Sequence, residues 1–376
     1  MNFEKIGNIN DYHRINKRNQ KKLFGCINQT AKRFIIITTI LLTIGILITL
    51  SVLLIKPNKH LINREANLRW NRTGITIAGN TSFPGTENNQ LNAPLGATVD
   101  YQNTLYIADT SNSRIQKYVM DAKYGITVAG NANGTAGSNL SELRFPSQVL
   151  VSSNGYMFVA DRNNHRVMLW RNSSTSGEIV AGVGTNANNT LSSPYQMDYH
   201  QASESLYVSD YANSRIMHFK LGTPSGTMVA GTGVNAKNYT HLMSPVGVHF
   251  ESLSNNLIIT NNFGHNIVRW PLGATSWTLV AGDINGNSGT DSKRFNLPTV
   301  TTLDPMGNFY VADRNNQRIQ LFMNGQLEGI TIAGVVNTTG SNSTLLSTPW
   351  SVALDNQLNL YVADAANHRV QKFLRY

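Results

Sequence analysis

Five aspartates in this chain stand five residues ahead of an arginine: Asp109/Arg114, Asp161/Arg166, Asp210/Arg215, Asp313/Arg318 and Asp364/Arg369. A carboxylate and a guanidinium at that spacing can share a charge-assisted hydrogen bond across a tight turn. They are read as structural turn pairs, not as catalytic groups, because a feature present in five copies belongs to the scaffold. A sixth copy of the motif supports this, since Asn261 and Asn266 replace both members together. Histidine is the next source of chemistry, imidazole being the usual ligand for zinc. His165 and His368 share one position of the motif, at which other copies carry Ser, His265 or Gln317; His200, His218, His241 and His249 are scattered. Asp100, Asp304 and Asp355 close short apolar runs and are candidates to ring a calcium ion, but an aspartate at such a place also starts a turn. The loops GTAGSN and GNSGTD have no helix and lysine behind them, so they are not phosphate loops. No catalytic, cofactor or metal residue is assigned.

The elements that must position these groups come from internal repetition. One segment recurs six times, as LYIADTSNSRIQKY (105–118), MFVADRNNHRVMLW (157–170), LYVSDYANSRIMHF (206–219), LIITNNFGHNIVRW (257–270), FYVADRNNQRIQLF (309–322) and LYVADAANHRVQKF (360–373). Two further registers agree with it. An apolar pair and Ala lead to Gly79, Gly130, Gly182, Gly231, Gly282 and Gly334, and a Leu or Phe stands three residues before Pro94, Pro146, Pro194, Pro245, Pro298 and Pro349. Each unit reads as four short strands, rich in Val, Ile, Tyr and Phe and bounded by Gly, Asn, Asp and Pro. Four-stranded sheets repeated about every fifty residues make a radial β-propeller. The last unit stops after its third strand, while Gly74–Gly79 is an orphan fourth strand ahead of the first unit. Pairing the two closes the ring and covers an exposed edge. The expected fold is all-β: a six-bladed propeller over residues 74–376, closed by an N-terminal strand.

Units of the form LYVADxxNHRV, with L/FxxP ahead and VAG behind, resemble NHL repeats, and Asn164-His165-Arg166-Val167 and Asn367-His368-Arg369-Val370 are the nearest matches. The resemblance covers residues 74–376. Similar domains serve as protein-binding modules, RNA-binding modules, sensor ectodomains of membrane proteins and a metal-dependent amidating lyase, so it implies a fold and leaves the function open. A lyase-like site needs three histidines projecting into the channel from equivalent inner strands. Only His249 is expected on a first strand, which argues against zinc-dependent lyase activity.

The net charge of +10 lies outside the repeats. Residues 1–33 hold eight basic side chains against two acidic, and residues 56–72 hold five against one; residues 73–376 carry equal numbers of each. A neutral domain has no general attraction for a phosphate backbone, so no nucleic-acid partner is expected. Between the basic stretches, residues 34–55 (FIIITTILLTIGILITLSVLLI) hold no charge. As a helix they span roughly 33 Å, enough to cross a bilayer core. The stronger basic flank places residues 1–33 in the cytoplasm and everything after the span outside the cell or in a lumen. Residues 56–73 are then a stalk. Cys26, the one cysteine, lies in the tail and is a candidate for palmitoylation beside the membrane lipid.

Nine Asn-x-Ser/Thr sequons follow the span: Asn71, Asn80, Asn133, Asn139, Asn172, Asn188, Asn238, Asn337 and Asn342. None is expected inside a strand, which suits glycosylation of an external domain. Seven lie in the loops that join one blade to the next, and only the Asp283–Leu297 loop lacks one. Glycans there leave a partner that sector, with Lys293 and Arg294, or the opposite face. The expected protein is a single-pass type II membrane protein whose propeller binds a protein, peptide or glycan ligand without catalysis. The alternative is a metal-dependent hydrolase or lyase with its site in the channel.

Overall fold

The computed structural model describes residues 68–182, 190–223 and 225–376. The tail with Cys26, the apolar segment 34–55, the stalk up to residue 67 and the sequon Asn188 lie outside the described residues. Among the described residues no helix is long and apolar enough to cross a membrane.

The repeats form six four-stranded antiparallel sheets, each ordered from an inner to an outer strand. Blade 1 runs Gly96–Val99, Leu105–Asp109, Arg114–Tyr118 and Ile126–Gly130. The inner strands of blades 2 to 6 are Gln148–Val151, Pro194–His200, Pro245–Glu251, Pro298–Leu303 and Pro349–Leu354. They surround a central channel, and the inner strand of blade 1 packs against that of blade 6 to close the circle. Blade 6 takes its outer strand from Ile75–Gly79, which pairs antiparallel with Arg369–Phe373. Residues 68–73, placed in the stalk on sequence, join this closure. Trp70 is buried, donates its indole N–H to Leu358 O at 2.7 Å and meets Tyr310 edge-on, while Tyr376 N donates to Arg69 O.

Neighbouring blades are held apart and together by the same residues. The Leu or Phe three residues before each proline (Leu91, Leu143, Leu191, Leu242, Phe295 and Leu346) is at most 5% exposed and wedges between two sheets. In every blade the register shifts once between third and fourth strands. Such a bulge increases local twist, which a blade needs in order to fan out from the axis. The glycine ending each fourth strand then lies on the turn of the strand beside it. At Gly130, φ is +78° and a Cβ would stand 2.4 Å from Ser113 O; at Gly334 it would stand 2.2 Å from Gln317 O. Only glycine fits there.

Candidate functional site

Second and third strands meet in a three-residue 3-10 turn followed by one residue in the left-handed region, and this turn organises the Asp/Arg pairs. Arg114 Nε donates to Asp109 Oδ2 at 2.8 Å, and the other four pairs measure 2.7 or 2.8 Å. The bond across the turn is only part of the arrangement. Arg114 sends its remaining donors to the carbonyls of Thr86, Glu87, Gln90 and Ala132, and Asp109 Oδ1 accepts the N–H of Asn92. Asn112 joins in, donating to Asp109 Oδ2 and to Gly85 O. The same cradle recurs with Arg166, Arg318 and Arg369, whose guanidinium groups hold the blade-to-blade loops through carbonyls that include Asn139 O and Asn342 O. Burial is the largest influence on Asp109, Asp161, Asp313 and Asp364 and pushes their carboxyls up, against the backbone N–H, asparagine and arginine donors around them. The trio fixes a loop, and its buried charges add little net stability.

Arg215 of blade 3 forms the fifth pair of the same kind. Its bond is the same as the others: Nε donates to Asp210 Oδ2 at 2.7 Å, Asn213 donates to that oxygen, and Asp210 Oδ1 accepts the N–H of Ser192. A terminal nitrogen of Arg215 donates to Thr190 O at 2.9 Å, so this arginine too holds a blade-to-blade loop. Its burial is different. The Arg215 side chain is 13% exposed, whereas those of Arg114, Arg166, Arg318 and Arg369 are at most 7% exposed. The Arg215 side chain is thus slightly more exposed than its counterparts, while Asp210 is as fully buried as theirs.

Blade 4 departs at more positions than the two noted in the sequence. Gly264 stands where the cradle asparagine would be, and Trp277 stands where the other blades have glycine. Asn261 and Asn266 bond to each other at 3.1 Å, and the Trp277 indole donates to His241 O, a loop carbonyl of the kind that arginine serves elsewhere. The charged cradle has been exchanged for a neutral one.

The histidines of the motif are inter-blade fasteners. His165, His265 and His368 occupy the left-handed turn position, and each Nδ1 accepts a backbone N–H from the next blade, from Ser193, Leu297 and Ala93 at 3.0–3.1 Å. Gln317 does the same for Thr348 N through Oε1 and Ser113 for Phe145 N through Oγ. Burial pushes His265 and His368 down, with Lys237 adding to the effect on His265. An Nδ1 that accepts an N–H has its lone pair engaged.

The channel itself encloses about 220 Å³ lined by inner strands, with Gln196, Asp198, His249 and Thr302 among its polar groups. His249 Nδ1 lies 3.0 Å from Asp198 Oδ2. Burial opposes both charges, but the pairing outweighs it: Asp198 is held low and His249 is raised, with Glu251 contributing. His249 is not alone on a first strand, as the sequence suggested. The inner strand of blade 3 runs on to His200, so that His200 Nδ1 meets Ser203 Oγ at the strand end. The two histidines lie at different levels of neighbouring strands and form no ring. Asp100, Asp304 and Asp355 are used by their own hairpins, each accepting two backbone N–H groups of the following turn. Among the described residues no group of three or more His, Cys, Asp or Glu is placed to hold a metal, and Asp100, Asp304 and Asp355 do not ring the channel as a common set of ligands.

At the channel end shared by the second-to-third turns and the blade-to-blade loops, five side chains from four blades converge. Tyr195 of blade 3 and Trp350 of blade 6, second residues of opposite inner strands, stack across the axis with centroids 5.8 Å apart and planes 20° apart. Tyr211 lies 4.7 Å from Tyr195. Arg162 of blade 2 sits over Tyr195 at 5.3 Å and donates to its hydroxyl at 2.9 Å, and Arg314 of blade 5 sits over Trp350 at 4.8 Å. Bonds beneath hold the rings: Thr299 Oγ1 donates to Trp350 O, and Ser147 Oγ donates to Tyr195 O. Both arginines are half-buried, and among the described residues neither forms an ion pair with a carboxylate. Burial pushes Arg314 down, with Tyr195 and Tyr211 acting the other way. Arg162 and Arg314 directly follow the motif aspartate in blades 2 and 5, where the other copies have Thr110, Tyr211, Asn262 and Ala365. That variation at one repeat position was the available sequence signal, and it was missed.

The eight described sequon asparagines are exposed and outside strands. Of the two basic residues in the loop without a sequon, Arg294 pairs with Asp291 at 2.7 Å and Lys293 with Glu328 at 3.0 Å.

A family model described as NHL repeat matches residues 91–118, 295–322 and 346–373, in blades 1, 5 and 6. The human NHL repeat-containing protein 3 is 49% identical over 39 residues, a stretch covering 10% of this chain and 11% of that protein. Among solved structures, a Bacteroides thetaiotaomicron protein of unknown function is similar with a TM-score of 0.64 and 14% identity, over 80% of this chain and 75% of that one. An auxiliary nutrient binding protein from the same organism gives 0.60 and 16%, over 82% and 77%. A gluconolactonase from Xanthomonas campestris gives 0.55 and 14%, over 77% and 88%. At these identities the likeness is one of fold alone.

Proposed function

Because the chain is a six-bladed propeller built of NHL repeats, we propose that it works as a non-enzymatic recognition module, presented outside the cell or in a lumen by the apolar segment 34–55. One observation carries this reading. The groups that could do chemistry are occupied in holding the ring: the Asp/Arg pairs in loop cradles, the motif histidines in blade junctions and the strand-end aspartates in turns. What the ring leaves for a partner is the aromatic and basic mouth. The sequons support an external address, since glycans on the blade-to-blade loops decorate the periphery of that face while the mouth lies at its centre. A slender ligand, such as a peptide end or a glycan, suits that geometry better than a broad protein surface.

The test uses full-length protein in its own cells, with a photo-crosslinking residue at Asn163 or Asn315, exposed neighbours of Arg162 and Arg314. A discrete adduct from these positions, absent with the residue at Leu253 on the opposite face, is the expected result. Equal labelling from both faces would remove the mouth from consideration. Glycosidase treatment of the same protein checks the topology, a mobility shift being expected.

The channel pair Asp198–His249 favours a second reading, a hydrolase or lyase. The carboxylate raises His249 and so favours its protonated form, which bears on any acid–base role of the pair. Stoichiometric metal in the purified protein, or turnover lost in His249→Gln, would support this alternative.

A further inference from the structure

The mouth joins two cations lacking a carboxylate to a stacked aromatic pair, and this combination selects a chemistry. Most other well-placed arginines here have an acid: Asp109, Asp161, Asp210, Asp313 and Asp364 in the cradles, Glu178 for Arg171, Glu251 for Arg269 and Asp291 for Arg294. Arg162 and Arg314 have rings and neutral amides. Each Nε donates to the asparagine beside it, Asn163 at 3.1 Å and Asn315 at 3.2 Å, which fixes the stem of the guanidinium group. Arg162 spends one terminal nitrogen on the Tyr195 hydroxyl, whereas neither terminal nitrogen of Arg314 has a hydrogen-bond partner among the described residues. Residues 183–189, which precede blade 3 in the sequence and lie outside the described residues, include no acidic side chain.

The two arginines come from opposite blades and lie against the two members of one stacked pair, Arg162 against Tyr195 and Arg314 against Trp350. Burial pushes the Tyr211 phenol up, Tyr195 adds to this, and Arg314 and Arg162 each oppose it. A half-buried guanidinium group against an aromatic face is partly desolvated, which strengthens its hydrogen bonds to an ionised oxygen acceptor. Tyr195 and Trp350, from blades on opposite sides of the ring, meet across the axis at this end of the channel.

We infer that the mouth binds a small oxyanion group, a carboxylate, sulfate or phosphate, carried on a flat ring: the anion is taken by Arg162 and Arg314 and the ring lies on Tyr195 and Trp350. This rests on the recognition reading above and names the ligand's chemistry. Elsewhere among the described residues Lys117 lies over Tyr106 as a single cation on a single ring; the mouth sets two such contacts side by side through the Tyr195–Trp350 stack.

The experiment titrates full-length protein with phenyl phosphate, phenyl sulfate, benzoate and glucuronate, against benzamide and glucose as neutral counterparts. Binding is followed by calorimetry and by the part of the tryptophan emission change that is absent from Trp350→Leu. At least one anion is expected to bind at least tenfold tighter than its neutral counterpart, and the preferred member distinguishes carboxylate, sulfate and phosphate sources. Arg162→Gln and Arg314→Gln should each weaken it about tenfold or more, and the double variant should abolish it. Trp350→Leu should weaken ring-bearing anions more than inorganic phosphate. The melting temperature of the arginine variants should stay within a few degrees of the parent, because neither residue grips a loop through its carbonyls and Arg162 gives up a single bond to the Tyr195 hydroxyl. If no anion binds in preference to its neutral counterpart, or if binding survives in the double variant, the inference falls. A crosslinked partner at Asn163 that persists in the double arginine variant would overturn the anion site while leaving the recognition reading intact.

Discussion

At the scale of single residues, the imidazoles illustrate how placement removes a group from chemistry. His265 and His368 each use Nδ1 to accept an N–H across a blade junction, and Gln317 does the same with an amide oxygen. Protonation at Nδ1 would turn the acceptor into a second donor, and burial already pushes both groups below the ordinary value of 6.5. A lowered pKa in the folded state means that the unfolded chain binds the proton more readily, so this stability is full above about pH 6.5 and is lost as pH falls. The Asp198–His249 pair has the opposite sign, because the raised His249 contributes most below its unfolded value and loses its effect as pH rises. The two are separable by substitution. Urea unfolding of His265→Gln/His368→Gln should cost less than about 1 kcal/mol at pH 7.5, because glutamine keeps the bond. Between pH 7.5 and 5.5 the variant should lose less stability than the parent, and an identical loss would show that the fasteners do not titrate as described.

At the scale of the element, the second-to-third turn and the loop it grips form one unit. The Asp–Asn–Arg trio is a device for anchoring a long loop through its carbonyls, and blade 4 shows that a neutral version works when several positions change together. Asp313→Asn leaves the Arg318 guanidinium group, 3% exposed, without its counter-ion and should cost about 3–5 kcal/mol. The same change at Asp210 should cost somewhat less, because the Arg215 side chain, 13% exposed, is less completely removed from water. The double variant Asp313→Asn/Arg318→Asn should cost less than the sum of the two single changes by about 0.5–3 kcal/mol, measured by chemical unfolding. Strict additivity would mean that the pair does not act as a unit. The Arg318→Asn protein should also be cut faster by protease at residues 289–294, the loop that Arg318 holds. The pair was legible in the sequence because it recurs, and a recurring motif is how repeated scaffolding announces itself. Its unequal burial in blade 3 was not, since Asp210 and Arg215 have the same types and spacing as the rest. The mouth was not legible for the complementary reason. Arg162, Arg314, Tyr195 and Trp350 come from four blades and occupy positions that vary between copies, so only the circular arrangement brings them together.

At the scale of the whole molecule, the closing strand is the one outer strand that is not continuous with its blade. Six units and their closure could be read from three agreeing registers of residues; the contribution of Trp70 could not, because a lone tryptophan ahead of the strand has no repeat to betray it. Deleting residues 68–79 exposes the edge of Arg369–Phe373 and empties the Trp70 site. The shortened protein should lose its single sharp thermal transition, and a synthetic peptide of residues 68–79 added in excess should restore it. Unchanged melting without the peptide would contradict the closure. Pairing Ile75–Gly79 with the far end of the chain has a further consequence, one of timing. During synthesis the first strand of the ring emerges about 290 residues before its partner, a wait of roughly 15–60 s at ordinary elongation rates. Five blades can assemble as they appear, but the sixth is left open until Arg369–Phe373 has been made, and throughout that interval the unpaired edge of Ile75–Gly79 is where a chaperone or a neighbouring nascent chain would attach.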